Sequence, residues 1–221
     1  MDGGRRTSPS ASRVQITFAG PYCGAVTTIR TATLQDLPGA YRVCLLTGDA
    51  GRDATKLFRN PELLGHVFVG PYLVGQPDLA SVVADDDGIA GYGLAAADTR
   101  AFEQWTETTW WPTLRADYPP RTDGSPEAEL IASIHAPPPA ADGLLDEYPS
   151  HLHVDLVERV RGQGYGRRLI ERVLAQLRAG GSSGVHLDVG SSNSNAIQFY
   201  RHLGFAELER RTDSILMGLR L

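Results

Sequence analysis

An α/β fold is predicted by three places where a strand-like apolar run passes directly into a helical pattern. The first is Thr28-Ile29-Arg30-Thr31-Ala32, followed by Thr33-Leu34-Gln35-Asp36-Leu37. The second is Leu152–Val157, separated by a glycine-rich turn from Leu169, Ile170, Val173, Leu174 and Leu177, which recur at the spacing of one helix face. The third is Val185-His186-Leu187-Asp188-Val189, followed by the run Asn193–Phe205.

Along the chain, residues 1–26 are rich in Gly, Ser, Arg and Pro and are expected to form a flexible leader. Organised structure is expected from residue 27 to residue 221 as a single domain. After the first strand, Thr33 is placed to cap a helix with Asp36 three residues on, and Leu37, Ala40, Tyr41, Cys44 and Leu45 fall on one face. Leu79–Ala84 and Ile89–Ala97 flank Asp85-Asp86-Asp87-Gly88, a hairpin signal. Phe102–Tyr118 holds all three tryptophans and is expected to be an inserted helix and loop. Tyr118–Tyr148 is Pro-rich, with a helix expected at Glu127–Ile134. An insertion of this length, about 101–148, is unusual between neighbouring strands. It is either a lid over one sheet edge or one wall of a substrate pocket.

Composition narrows the partners. A chain of 221 residues that is 42% hydrophobic can bury a proper core. Its net charge of −5 creates no basic field to draw nucleic acid or an anionic membrane. Cys23 and Cys44 have no metal-ligand spacing and imply no disulfide framework. No apolar run approaches membrane-spanning length, and the first residues lack a hydrophobic signal core, so a cytoplasmic location is expected.

The chemistry is concentrated at Arg161-Gly162-Gln163-Gly164-Tyr165-Gly166-Arg167-Arg168, between the second strand and its helix. Glycines allow close approach to the backbone, and the first N–H groups of a helix point outward without intrahelical acceptors. The helix dipole and the arginines add positive potential, so a phosphate-bearing ligand is predicted. A Walker A loop is excluded, because Arg167 and Arg168 stand where its lysine and hydroxyl residue would be. A Gly-x-Gly-x-x-Gly dinucleotide fingerprint fails in both registers, at Arg167 and at Leu169. What fits is Arg-x-x-Gly-x-Gly at Arg161, Gly164 and Gly166. The competing structural role of such glycines is a tight strand-to-helix connection.

This spacing resembles the pyrophosphate-binding motif of the GNAT acyltransferase superfamily. Asn193 through Phe205 is similar to that superfamily's second signature, Asn-x-x-Ala-Ile-x-Phe-Tyr-x-x-x-Gly-Phe, at every defined position. The resemblance implies a GNAT fold: a central mixed, mostly antiparallel sheet with two splayed parallel strands, flanked by helices. It implies acetyl-CoA as cosubstrate, no metal, and direct transfer of an acetyl group to a primary amine. The free backbone edge of Val154, Leu156 and Val157 would pair with the pantetheine arm. Arg161, Gly162, Gln163, Gly164, Tyr165, Gly166 and Arg167 would surround the pyrophosphate. Asn193 would bond the pantetheine arm or cap the helix, with Asn195 competing for the cap. Tyr200 would protonate the leaving thiolate, or pack in the core with Ile197 and Leu203.

Strand alternation puts His151, His153 and Asp155 on one face, and Leu152, Val154 and Leu156 on the other. Family members often carry a Glu or His base in the register held here by Leu152, so the chain departs from that pattern. Asp155 is the first candidate for the base, His153 the second and Asp188 the third; a water chain would need none of them.

Gly88–Gly93, Trp110-Trp111-Pro112, Ala116-Asp117-Tyr118-Pro119 and Asp155–Gly166 resemble the acetyltransferase-like C-terminal domain of animal O-GlcNAcase, over about residues 30–220. That resemblance implies a stand-alone bacterial-type protein and carries over no acceptor. The alternative is a coenzyme-binding sensor or interaction module, which the missing family base favours and the intact Arg-x-x-Gly-x-Gly and Tyr200 oppose. Trp110, Trp111, His153 and Asp188 are the expected acceptor-binding residues. The apolar Ser214–Leu219 segment suits a homodimer contact or an internal strand equally.

Overall fold

The structure, a computed structural model, describes residues 27–221. The expected leader lies outside the described residues. The first strand β1 (Thr28–Thr31) leads to α1 (Leu37–Thr47), two short helices α2 (Leu63–Phe68) and α3 (Gly70–Gly75), and a hairpin of β2 (Ser81–Asp85) and β3 (Gly88–Ala96). Between β3 and the next strand come α4 (Thr99–Trp105), α5 (Trp111–Asp117), α6 (Pro126–His135) and α7 (Asp142–Glu147). The remainder is β4 (Ser150–Leu156), α8 (Tyr165–Ala179), β5 (Gly184–Gly190), α9 (Ser194–His202), β6 (Ala206–Arg210) and β7 (Ser214–Arg220).

The strands form one seven-stranded sheet in the order β1-β2-β3-β4-β5-β7-β6. Every neighbouring pair is antiparallel except β4 and β5, which are parallel. This is the expected mixed, mostly antiparallel sheet flanked by helices. At the start, Asp36 accepts from the Thr33 N–H at 2.8 Å and from both terminal nitrogens of Arg30 at 2.6 Å, fixing the entry to α1.

Pattern explains which face each helix covers. Leu169, Ile170, Val173, Leu174 and Leu177 form one stripe of α8; the last four pack with Ala95, Leu152, Val185 and Leu187 on one sheet face, and Leu169 lies over Gly93. The other face carries Tyr92, Leu94 and Ala96, covered by Ala40, Val43 and Cys44 of α1 and by Tyr72 and Leu73 of α3. Trp111 and Leu114 of α5 and Ile131 and Ile134 of α6 share a small separate core with Leu63 of α2. Between α4 and α5 the backbone widens into a π-helical turn at Thr106–Trp110, where the Trp111 N–H reaches the Thr106 carbonyl. Pro112 follows and has no N–H to continue a regular ladder.

Ser214–Leu219 lies inside the sheet, paired with β5 on one side and β6 on the other. Its backbone therefore offers no free edge to a second copy. The edge strand at that end, β6, is exposed along its whole length and carries Glu207, Glu209 and Arg210, a composition that discourages edge-to-edge pairing.

Candidate active site

The parallel pair is joined only at Ser150↔Val185 and His151↔His186; beyond that the two strands separate. On its other side β4 stays in register with β3 as far as Leu156, and the Val157 N–H reaches the Ala90 carbonyl at 2.9 Å. By ladder alternation the backbone groups of His153 and Asp155 also face β3, and those of Val154 and Leu156 face the gap. The gap opens into a cleft of about 540 Å³ lined by Val154, Asp155 and Leu156, by Gly162, Gly164 and Gly166, and by Phe199 and Tyr200.

The glycine turn closes one end of this cleft. Gly162 and Gly164 have φ of 73° and 83°, left-handed values that a side chain strongly disfavours. Gly164 is the N-cap of α8, and the Arg168 N–H is the first to find an intrahelical acceptor, the Gly164 carbonyl at 3.1 Å. The N–H groups of Tyr165, Gly166 and Arg167 precede it and have no acceptor within the helix. A Cβ on Gly166 would sit 3.2 Å from Phe199 Cζ and 3.4 Å from Leu156 Cδ1, so a side chain there would fill the cradle. Arg52, Arg161 and Arg167 line the same mouth. The turn thus has the close backbone, free donors and positive charge that a pyrophosphate needs.

Arg161 has a second task. Its Nε donates to the Leu156 carbonyl and its Nη2 to the Gly51 carbonyl, both at 2.7 Å. It ties the end of β4 to the loop after α1, whose Ala50, Gly51 and Arg52 form the opposite lip of the cleft. Nothing in the periodicity of residues 48–53 marks this lip. Its sequence signal is only Gly48 and Gly51 flanking Asp49-Ala50.

Two titratable groups face the gap. Tyr200, on α9, is buried to 7% exposure, yet its ring lines the cleft and its hydroxyl has no hydrogen-bond partner among the described residues. Burial, then the nearby Asp155 charge, pushes this phenol above its ordinary value, so it remains protonated at neutral pH. Asp155 enters from the opposite sheet face and accepts from the Tyr92 hydroxyl at 2.7 Å. Burial raises its carboxyl from 3.8 to about 6, against the opposing pull of Tyr92, Thr47 and Arg161. Behind it, burial pushes the Cys44 thiol up to about 12, so it stays protonated at neutral pH.

A second cavity of about 400 Å³ opens on the Asp155 face of β4, against the insertion. Phe68, Tyr72, Phe102, Trp111, His151 and His153 form its walls, and Pro137, Pro138 and Pro139 close one side. Glu103 and Glu107 lie at its margin; Glu107 is paired with Arg115 at 2.6 Å.

The expected site residues fall into four groups, the last of which the structure corrects. Leu156, Arg161, Gly162, Gly164, Gly166, Arg167, Asn193, Asp155 and Tyr200 converge on the cleft, and Trp111 and His153 on the second cavity. Asn193 also accepts the Ala196 N–H at 3.1 Å, so it, and not Asn195, caps α9. Gln163 and Tyr165 shape the turn from outside: the Gln163 amide donates to the Arg159 carbonyl at 2.7 Å, and the Tyr165 ring carries Arg168 at 5.4 Å.

Three expectations are corrected. Val157 does not offer a free backbone edge: its N–H is used by Ala90, its carbonyl by the Val160 N–H, and its side chain lies in the core. Trp110 does not line the insert cavity; its indole donates to the His66 carbonyl at 2.9 Å and stacks on Trp105. Asp188 lies on the His153 face of the sheet but bonds Ser214 at 3.0 Å and Arg211 at 3.3 Å, outside both cavities. The residues not anticipated are Phe68 and Tyr72, on helices of six residues each, too short to reveal a period.

Comparison with known proteins agrees with this geometry. A sequence model described as the Acetyltransferase (GNAT) family matches residues 127–205. The crystal structure of SsHAT superposes with a TM-score of 0.81 at 32% identity, covering 88% of this chain and 98% of that one. The chain belongs to the GNAT acetyltransferase family. As a GNAT protein it is an enzyme of the acyl-CoA N-acyltransferase type. The Protein O-GlcNAcase of Rattus norvegicus and that of Mus musculus are each 28% identical to it over 204 residues, or 89% of the chain. The chain spans 22% of the length of these curated relatives. PH1933 from Pyrococcus horikoshii OT3, at 14% identity and a TM-score of 0.58, shares the fold of this GNAT protein. Among the described residues no group of three or more His, Cys, Asp or Glu is arranged to hold a metal, and no helix is long and apolar enough to cross a membrane.

Proposed function

We propose that this single domain, residues 27–221 with its insertion at about 101–148, is a cytoplasmic acetyl-CoA-dependent N-acetyltransferase acting on a primary amine. The observation that carries this is the cleft: a parallel pair that separates after two residues, ending in a glycine turn with unpaired helix N–H groups and arginines. Acetyl-CoA would supply the thioester. The Val154 and Leu156 backbone would align the pantetheine arm, and the N–H groups of Tyr165, Gly166 and Arg167 would hold the pyrophosphate. The acceptor amine would enter through the cavity lined by Phe68, Trp111 and His153, from the sheet face that also carries Asp155.

The chain's groups then divide the proton work. Asp155, ionised above about pH 6, takes the proton an ammonium must lose before it can attack. Tyr200 keeps its proton at neutral pH and offers it to the departing thiolate. Tyr200→Phe is expected to lower kcat by about 100-fold while leaving the KM for acetyl-CoA nearly unchanged. Thiol release from acetyl-CoA, measured across a panel of amines with this variant as control, tests the function. Release from no amine, with coenzyme affinity intact, would leave a binding module in place of an enzyme.

The cavity implies a class of acceptor. Its aromatic walls suit an apolar or aromatic body, and Glu103 favours a positive charge at the margin, the Glu107 charge being met by Arg115. Phe68 is 39% exposed, with its ring 6.4 Å from His153. Phe68→Ala is expected to raise the KM for aromatic amines by roughly 10-fold, with no change in melting temperature or in the KM for acetyl-CoA. A uniform effect on all amines, or none, would move the acceptor elsewhere.

A further inference from the structure

Beneath the insert cavity runs a chain of hydrogen bonds whose direction is fixed at one end. The Pro149 carbonyl accepts from the Thr99 hydroxyl at 2.7 Å and from the Thr99 N–H at 2.8 Å. A carbonyl only accepts, so the Thr99 proton is committed to it, and Thr99 Oγ1 must receive from His151 Nδ1, 2.8 Å away. His151 thus carries its proton on Nδ1. Burial holds this ring far below the ordinary histidine range, so it is neutral and its Nε2 can only accept. The Tyr72 hydroxyl lies 2.8 Å from that Nε2 and gives its single proton there. Tyr72 Oη must then accept from His153 Nε2, at 2.9 Å. Burial lowers His153 to about 4, so it too is neutral at pH 7, with its proton on Nε2 and a lone pair on Nδ1.

That Nδ1 has no hydrogen-bond partner among the described residues, and the ring lines the cavity. The charged and titratable groups around the ring are Tyr72 from α3, Glu103 from α4, His151 on its own strand, and His186 and Asp188 from β5. None of them supplies Nδ1 with a proton.

We propose that the Thr99–His151–Tyr72–His153 chain makes His153 Nδ1 a one-way acceptor that takes an N–H of the incoming amine and so turns the nitrogen lone pair toward the cleft. This rests on the acceptor entering through the insert cavity. It goes further in selecting for a nitrogen with an N–H to spare. A primary amine can give one hydrogen to His153 and still lose a proton to Asp155. A tertiary ammonium has a single N–H, which it cannot both give to His153 and lose to Asp155, and a group presenting only acceptors meets a lone pair facing a lone pair. Tyr72, His151 and Thr99 are positioning residues: Tyr72 and His151 also line the cavity, but the three act here by fixing one tautomer of His153.

The tautomers can be read directly by long-range ¹H–¹⁵N correlation on the full chain labelled with ¹⁵N-histidine, at pH 7.5. The expected result is neutral rings with His151 protonated at Nδ1 and His153 at Nε2. His153 protonated at Nδ1, or exchanging between tautomers, would overturn the proposal without any substituted protein. Tyr72→Phe cuts the chain. It is expected to release His153 into mixed tautomers and to raise the KM for the amine by about 10-fold, with the KM for acetyl-CoA unchanged. Unchanged His153 signals and amine KM in that variant would also overturn it. Should Tyr72→Phe not fold, Thr99→Val is read instead for loss of the Nδ1 proton preference at His151. Wild-type tautomers as expected, together with thiol release on no amine, would sustain the fixed acceptor and reject acetyl transfer.

Discussion

Gly164→Asp and Gly166→Asp are each expected to abolish detectable acetyl-CoA binding, a loss of at least about 100-fold, or roughly 2.7 kcal/mol. The two act differently. At Gly164 the backbone has φ of 83°, so any side chain strains the helix entry, and a carboxylate adds negative charge where a pyrophosphate must come. At Gly166 the conformation is ordinary, but a Cβ would lie 3.2 Å from Phe199 Cζ. A Gly166→Ala control should therefore weaken binding through crowding alone, by less than the aspartate. Titration calorimetry checks both sites. Unchanged affinity in the aspartate variants would mean that the phosphates bind elsewhere, and the assignment of the cleft would fall with them.

Asp155→Asn carries the second large effect, and its sign depends on pH. With its carboxyl at about 6 in the folded protein, Asp155 is an effective base only above that pH. Wild-type kcat/KM should rise through about pH 6, and the asparagine variant should lack that step, at a cost of about 100- to 1,000-fold. The penalty is largest between about pH 6 and the pH at which the free amine has itself become neutral. A constant ratio of variant to wild type across that range would remove Asp155 from the proton path.

Stability offers an independent check on the same residue. The folded value lies above the ordinary 3.8, so ionisation is harder in the fold than in the unfolded chain. Wild-type stability therefore falls as pH rises from about 4 through about 6, by on the order of 2–3 kcal/mol. Asparagine has no such loss. The melting temperature of Asp155→Asn relative to wild type should thus climb between pH 4 and pH 7. A difference independent of pH would show that the carboxyl is well hydrated.

Much of the fold was legible because the relevant signals are local. The α8 stripe of Leu169, Ile170, Val173, Leu174 and Leu177, the Asp-rich hairpin and the Thr33–Asp36 entry each declare themselves within a dozen residues. The glycine turn was equally plain, since both the left-handed backbone and the helix start are written in one octapeptide. Distance along the chain hid the rest. Tyr72 meets His151 and His153 across about 80 residues, and Arg161 meets Gly51 across 110. Val157 departs from the expected pairing because it immediately follows the last β4 residue, where one step in register decides which neighbour takes the N–H. Trp110 and Trp111 are adjacent, yet only Trp111 turns toward the cavity; the π-helical turn between α4 and α5 rotates the pair in a way that no regular period predicts.

The double hold of Arg161 on Leu156 and Gly51 bears on how a ligand would be received. Both lips are latched together by the fold itself, and the ordering entropy of that loop is met when the chain folds. Docking should then resemble a key entering a cut lock, with association limited by diffusion and charge steering and not by a slow closing motion.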